Sequence, residues 1–194
     1  MQWRNTGKQW GLVSIALHWG IALVVIALFG MGLYMVELGY MDPLSNTLPH
    51  WHRSLGILVG ASLVFRLAWR FVSAPPAPLS NYRRSEHLMA LLMHWMLYAL
   101  MIVVVISGYL ISTADGRGFS VFGWFEMPAL FGRIRNLEDL SGDWHRWLAW
   151  TLVILASGHA LAALKHHFID RDLTLTRMLK NVSDDSSEYP KGYD

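Results

Sequence analysis

The chain has 194 residues, of which 54% are hydrophobic and only 15% charged, and its mean hydropathy is +0.31; these values lie outside the usual range of a soluble domain and read as an integral membrane protein. The net charge of +2 comes from arginines near the ends of apolar stretches rather than from a basic stripe, so nothing argues for nucleic acid. With no cysteine in the chain, disulfides, thiolate metal sites, cysteine-held iron–sulfur clusters and the C-x-x-C-H attachment of c-type haem are all excluded.

Arg4 and Lys8 precede an apolar run from Gly11 to Val36. It is too long for the core of a signal peptide and has no small-residue cleavage site, so it reads as an uncleaved first span, about 12–36, with a single histidine, His18. ELGYMDPLSNTLP follows, turn-rich and acidic, with Pro43 and Pro49 as breakers. A second span, about 52–71, begins at His50 to His52 and closes in SAPPAPLSNYRR. The third, about 86–111, carries His87 and His94. The connection from Thr113 to Asp143 holds four glycines before Gly142 and the segment FGWFEMP; it is too polar to cross a membrane and predicts a short element lying on the surface. Span four, about 144–168, lies within DWHRWLAWTLVILASGHALAALKHHF (Asp143 to Phe168), and residues 181–194 form a polar tail expected to be disordered. Short loops between four spans predict one domain over 1–180, an all-α, transmembrane up-and-down four-helix bundle. Arg4, Lys8, Arg66, Arg70, Arg83, Arg84, Lys165, Arg171, Arg177 and Lys180 fall on one side, which the positive-inside rule makes the cytoplasm. Both termini are then cytoplasmic, the membrane is the bacterial inner membrane, and the other face is periplasmic.

His145 and His159 lie fourteen residues apart on span four, a rise of roughly 21 Å and a rotation about 40° short of four turns, so both imidazoles share one face at two depths. Polar rings inside a bilayer core of about 30 Å need partners. One reading is a pair of haem irons, each taking an axial nitrogen from this helix, held non-covalently by histidine or methionine. The other is a set of core histidines bonded to neighbouring helices, with His145 resting in the interface among Trp144, Trp147 and Trp150. Depth matching favours the first: His52 and His145 share the outer level, His18 and His159 the inner. His94 rivals these for the inner iron; His50 rivals His52 but points about 200° away on a helix. Arg66, fourteen residues after His52, falls at inner level, where it would meet a haem propionate or else snorkel to the interface. Gly20, Gly56, Gly60 and Gly158 would admit a macrocycle or a close helix. His87, His166 and His167 lie at the cytoplasmic rim.

S-I-x-L-H-W in span one, H-R-S-L-G-I-L-V and F-R-L-A-W-R in span two, W-H-R-W-L and G-H-A-L-A-A-L-K-H-H-F in span four, and the closing D-R-D-L-T-L-T-R-M carry a resemblance to the bacterial cytochrome b561 family from Leu12 to Met178. The resemblance implies two b haems, the inner on His18 and His159 and the outer on His52 and His145, and exchange of electrons with ubiquinone. One branch resembles a superoxide oxidase working at the periplasmic face, although His50 and the third loop depart from that branch. Relatives that anchor hydrogenases and formate dehydrogenases imply the alternative of an electron-transfer subunit serving a periplasmic redox protein. A haem-free transporter or structural bundle is the alternative from another class. Arg53, Arg117, Arg133, Arg135 and Arg146 would form a funnel for an anion such as superoxide, unless they pair with Glu138, Asp139 and Asp143. His94, Lys165, His166 and His167, with Arg66 nearby, lie where a quinone headgroup and its proton donor would sit. An inward electron climbs an inside-negative potential at about 2.3 kcal/mol per 100 mV, so the donor must be strongly reducing.

Overall fold

The computed structural model describes residues 2–79 and 84–180; Arg83 and the tail expected at 181–194 lie outside the described residues. Among those described, four long apolar helices run antiparallel in chain order: α1 (Leu12–Met35), α2 (Thr47–Val72), α3 (Arg84–Thr113) and α4 (Leu137–Phe168). The shortest has 24 residues, about 36 Å at 1.5 Å per residue, enough to cross a hydrocarbon core of about 30 Å. Leu23, Ile26, Val64, Phe71, Ile154 and Leu161 face outward and exposed, as lipid-facing side chains do. The expected four-helix membrane bundle is therefore the fold.

Two helices begin earlier than the apolar pattern does. α2 starts at Thr47 instead of about residue 52 because Pro49, expected to break the chain, sits in its first turn, where a missing N–H removes no intrahelical bond. α4 starts at Leu137 instead of 144; Glu138 and Asp139 occupy its first turn, where negative charge suits the helix dipole, and polar residues there hide the helix from a hydropathy reading.

The long connection is a two-stranded hairpin, β1 (Phe119–Val121) against β2 (Phe125–Met127), antiparallel with Val121 opposite Phe125. Its turn has Phe122 at φ 52° and Gly123 at φ 75°, closed by Trp124 N–H donating to Val121 O at 2.9 Å, the conformation that matches strand twist in tight hairpins. A left-handed Phe is costly; it is held by its own N–H donating to Ser54 Oγ at 3.0 Å and by its ring against Trp51 at 5.7 Å. Ser54 is fully buried, so the hairpin is pinned to the side of α2 two residues from His52. We call this end of the bundle the hairpin face.

The opposite, terminal face is tied by Asn5. Its Nδ2 donates to Ser73 O (2.9 Å) and Ala74 O (3.1 Å), and its Oδ1 accepts from Gly11 N–H and Ser14 Oγ, both at 2.8 Å. These bonds answer open groups at the C-terminus of α2 and the N-terminus of α1. A short helix, α5 (Thr176–Leu179), closes the same face: Trp19 Nε1 donates to Met178 O at 2.9 Å and the Arg177 guanidinium to Ala77 O at 3.2 Å.

Within the bundle, α1 packs along α2, α2 against α3, and α3 extensively along α4, while α1 and α4 barely touch. Val59 and Leu63 on α2 and Leu152 on α4 are buried at mid-depth. Leu152 is seven residues from both His145 and His159, and Val59 seven from both His52 and Arg66. An apolar plug thus separates two polar levels.

Candidate cofactor site in two histidine layers

On the hairpin side, α2 presents His52 and α4 presents His145, their ring centroids 6.1 Å apart and their planes at 71°. His145 Nδ1 lies 3.0 Å from the Val104 carbonyl and 3.0 Å from Ser107 Oγ, both on α3. Ser107 in turn donates to Val104 O at 2.8 Å, the back-bonding that serine makes one turn earlier in an apolar helix. A carbonyl only accepts, so His145 carries its proton on Nδ1 and leaves the Nε2 lone pair free. Glycines make room for both rings. A Cβ at Gly32 would stand 3.5 Å from His52 Cε1, and one at Gly108 3.2 Å from His145 Cε1. His52 Nδ1 is buried and has no hydrogen-bond partner among the described residues.

Toward the terminal face, His18 of α1 and His159 of α4 are 6.2 Å apart, with planes at 77°. His94 of α3 joins them, 5.2 Å from His159. Arg66 enters this layer from α2: its Nη2 lies 3.1 Å from His18 Nδ1 and its Nε donates to Tyr98 Oη at 3.0 Å. Both partners are uncharged, so a guanidinium inside the membrane span has no anion among the contacts just described. That is an expensive arrangement unless an acid from outside the chain completes it.

An iron between two imidazoles, about 2 Å from each nitrogen with about 1 Å more to each ring centre, puts the centroids about 6 Å apart. The His52–His145 and His18–His159 pairs have this spacing, and the His94–His159 pair is roughly an ångström too close for it. Cβ atoms added at Gly20, Gly56 or Gly158 would meet nothing within 4 Å, while Gly60 is tight against Val105 at 3.0 Å. Three of the four glycines read as making room therefore face open space, and the fourth serves helix packing. The one poor fit is His18: a guanidinium donating to Nδ1 leaves the proton on Nε2, so ligation through Nε2 requires Arg66 to turn to another acceptor. With that adjustment the donor set suits two bis-histidine haems.

The remaining expected residues fall outside these layers. His50 meets only Trp51 edge-on among its ring contacts, at 6.3 Å, and His87 is exposed. His166 Nδ1 faces Asp170 Oδ2 (2.9 Å) and Asp172 Oδ2 (3.1 Å) at the terminal rim, while Lys165 pairs with Asp170 at 2.7 Å. The Lys165 hydrogen bond holds the Asp170 carboxyl below the usual carboxylate range. Of the arginines read as a funnel, Arg117 pairs at 2.8 Å with Asp115, a partner the sequence reading did not consider; the backbone N–H and side chain of Arg117 lower the Asp115 pKa. Arg53 lies over the Phe119 ring with Nε donating to Pro49 O at 3.3 Å, and Arg146 is exposed beside His145. Sequence reasoning missed Tyr98, Ser107, Gly32 and Gly108. The signal for two of them was present: Ser-Gly interrupts the apolar run MIVVVISGYL.

The family model described as prokaryotic cytochrome b561 matches residues 9–181. The chain is 46% identical to cytochrome b561 homolog 2 of Escherichia coli (strain K12), covering 95% of this chain and 98% of the relative. It is 29% identical to the probable superoxide oxidase CybB of Yersinia pestis, over 89% and 96% of the two chains. It is also 27% identical to cytochrome b561 homolog 1 of E. coli (strain K12), over 89% and 97%.

Proposed function

Because the chain belongs to the prokaryotic cytochrome b561 family, whose members are membrane electron-transfer proteins that bind haem b, we propose that it is a di-haem oxidoreductase carrying electrons from superoxide at the hairpin face to ubiquinone in the membrane. The hairpin face is then periplasmic, and both termini lie on the cytoplasmic side of the bacterial inner membrane. The observation that carries this reading is the two imidazole pairs, 6.1 and 6.2 Å between centroids, stacked along one helix. His52 and His145 hold one haem and His18 and His159 the other. Haem supplies the one-electron chemistry that no side chain here possesses.

The chain's residues do the rest. Ser107 and Val104 fix the tautomer of His145. Val59, Leu63 and Leu152 keep the interval between layers dry, and Arg66 is placed to meet a propionate or a quinone oxygen through charge-assisted bonds. His94 offers a proton-handling imidazole beside His159; His166, engaged with Asp170 and Asp172, offers one at the rim. Each of two superoxide anions gives up one electron and leaves as dioxygen, and ubiquinone gains two electrons and two protons. Superoxide as donor is supported by the name of the Yersinia relative and by Arg53 and Arg146 at the hairpin face, where fixed cations draw an anion inward; Arg117 is offset by Asp115.

A second reading, an electron-transfer subunit for a periplasmic protein, is favoured by one feature. Trp124, Leu130 and Phe131 of the hairpin connection are 80%, 72% and 57% exposed, an apolar surface of the kind that partners cover. Stopped-flow mixing with superoxide, with and without added quinone, separates the two. Reduction of both haems followed by quinone-dependent reoxidation is expected of the oxidoreductase; absence of reduction, with a co-purifying polypeptide, supports the subunit. A protein without a Soret band is a haem-free bundle.

A further inference from the structure

The two layers differ in what touches the ligand nitrogen turned away from each pair. On the hairpin side, His145 Nδ1 meets only acceptors, Val104 O and Ser107 Oγ, each at 3.0 Å. In the terminal layer, a guanidinium stands 3.1 Å from His18 Nδ1, aimed by Tyr98 Oη at 3.0 Å and lying 5.8 Å from the Tyr98 ring centroid. Ser107 and Tyr98 are 6% and 7% exposed, so both contacts lie in a medium of low effective dielectric.

Resting on the two-haem reading above, we propose that Ser107 and the Val104 carbonyl make the hairpin-side site the more reducing of the two, while Arg66 held by Tyr98 makes the terminal-side site the more oxidising, so that the relay is polarised inward by the chain's own electrostatics. Acceptors on Nδ1–H draw its proton and give the ring imidazolate character, which makes it a stronger donor to the oxidised metal. A fixed cation does the reverse, favouring the added electron, and is most effective away from water. It retains this sense whether Arg66 faces His18 or turns to a propionate, since in either place it offsets negative charge around the same iron. Opposing cations exist on the hairpin face, but Arg133, Arg135 and Arg146 are exposed and Arg117 is paired with Asp115, where salt and solvent screen them; half-buried Arg53, over the Phe119 ring, is matched on the terminal side by half-buried Arg70, over the Trp95 ring. The transfer is of one electron, lost by the hairpin-side iron and gained by the terminal-side iron, with no bond or proton changing hands. Ser107 and Tyr98 are thereby positioning residues.

Potentiometric titration of the reduced α band in the purified full-length protein tests this. The expected result is two one-electron components separated by at least tenfold in equilibrium constant, about 59 mV. His52→Ala, which leaves the terminal layer, should keep the upper component, and His18→Ala the lower. Ser107→Ala should raise the lower component and spare the upper, with Ser107→Thr restoring it. Arg66→Gln and Tyr98→Phe should lower the upper component and spare the lower, with Arg66→Lys restoring most of the shift. Two haems with coincident or inverted components, or a Ser107→Ala protein with its lower component unmoved, would overturn the polarity and leave the two-haem reading standing. Fewer than two haems per wild-type chain would overturn both.

Discussion

Gly108 is the position where the smallest change should have the most local effect. Alanine there adds one methyl 3.2 Å from Cε1 and 3.5 Å from Nδ1 of His145, inside the separation of roughly 3.5–4.0 Å at which carbons pack best. The ring must give way by a few tenths of an ångström. It cannot do so freely, because Nδ1 is held at 3.0 Å by both Val104 O and Ser107 Oγ, and such a shift takes those bonds beyond the usual limit of about 3.2 Å. Overpacking of this kind costs about 1–3 kcal/mol. At 1.4 kcal/mol per tenfold, haem retention on the hairpin side should fall roughly 5- to 150-fold. Haem capture by an excess of apo-globin, followed at the Soret band, reads the loss, which should be biphasic with one haem leaving early. Gly30→Ala, whose Cβ meets nothing within 4 Å, is the control for the added methyl. Gly60→Ala, tight against Val105 at 3.0 Å but against no histidine, controls for overpacking alone. Release from the Gly108→Ala protein at the rate of both controls would refute the reasoning.

Exchange of His145 or His52 for alanine should remove one haem of two and leave the other layer's spectrum, and His18→Ala should remove the complementary one; pyridine haemochrome counts with low-temperature α bands distinguish the outcomes. Ser54→Ala strips the acceptor from the Phe122 N–H at a fully buried position, costing about 1–3 kcal/mol for an unsatisfied donor; limited proteolysis within residues 116–133 should accelerate while haem content holds. Asn5→Ala removes four side-chain hydrogen bonds between the N-terminal segment, α1 and the end of α2; a net loss of about 1–3 kcal/mol should appear as a lower Tm with the spectrum unchanged.

The spans and the pairing of histidines by depth were legible because both are properties of single helices: length, apolarity and the phase of residues fourteen apart. What a ring touches across the bundle depends on the rotation of its neighbours about their own axes, which no single helix encodes. Arg66 was therefore placed at the right level, but its contacts with His18 and Tyr98 were not foreseen. Ser107 has no mark in the sequence beyond its place in an apolar run; a serine there bonds backward or meets a partner, and here it does both. Helix starts failed where polar residues carry helical structure out of the membrane, at Leu137 by way of Glu138 and Asp139, and at Thr47, where a proline in the first turn reads as a stop. His166 was read as lying where a quinone headgroup would sit; that its ring faces Asp170 and Asp172 was not foreseen, because the chain between them turns through Arg171 at a left-handed φ of 55°, with no glycine to announce it.

The central claim is that four imidazoles from three helices clasp two irons in two layers. The haem-to-protein ratio of the purified chain, measured with its electron paramagnetic resonance spectrum, addresses that claim most directly. The account predicts two b haems per chain, both low-spin with two nitrogenous axial ligands, and each lost separately when its own layer is broken. A colourless protein, a single haem, or a chain that keeps both haems after losing His145 and His159 together would contradict it.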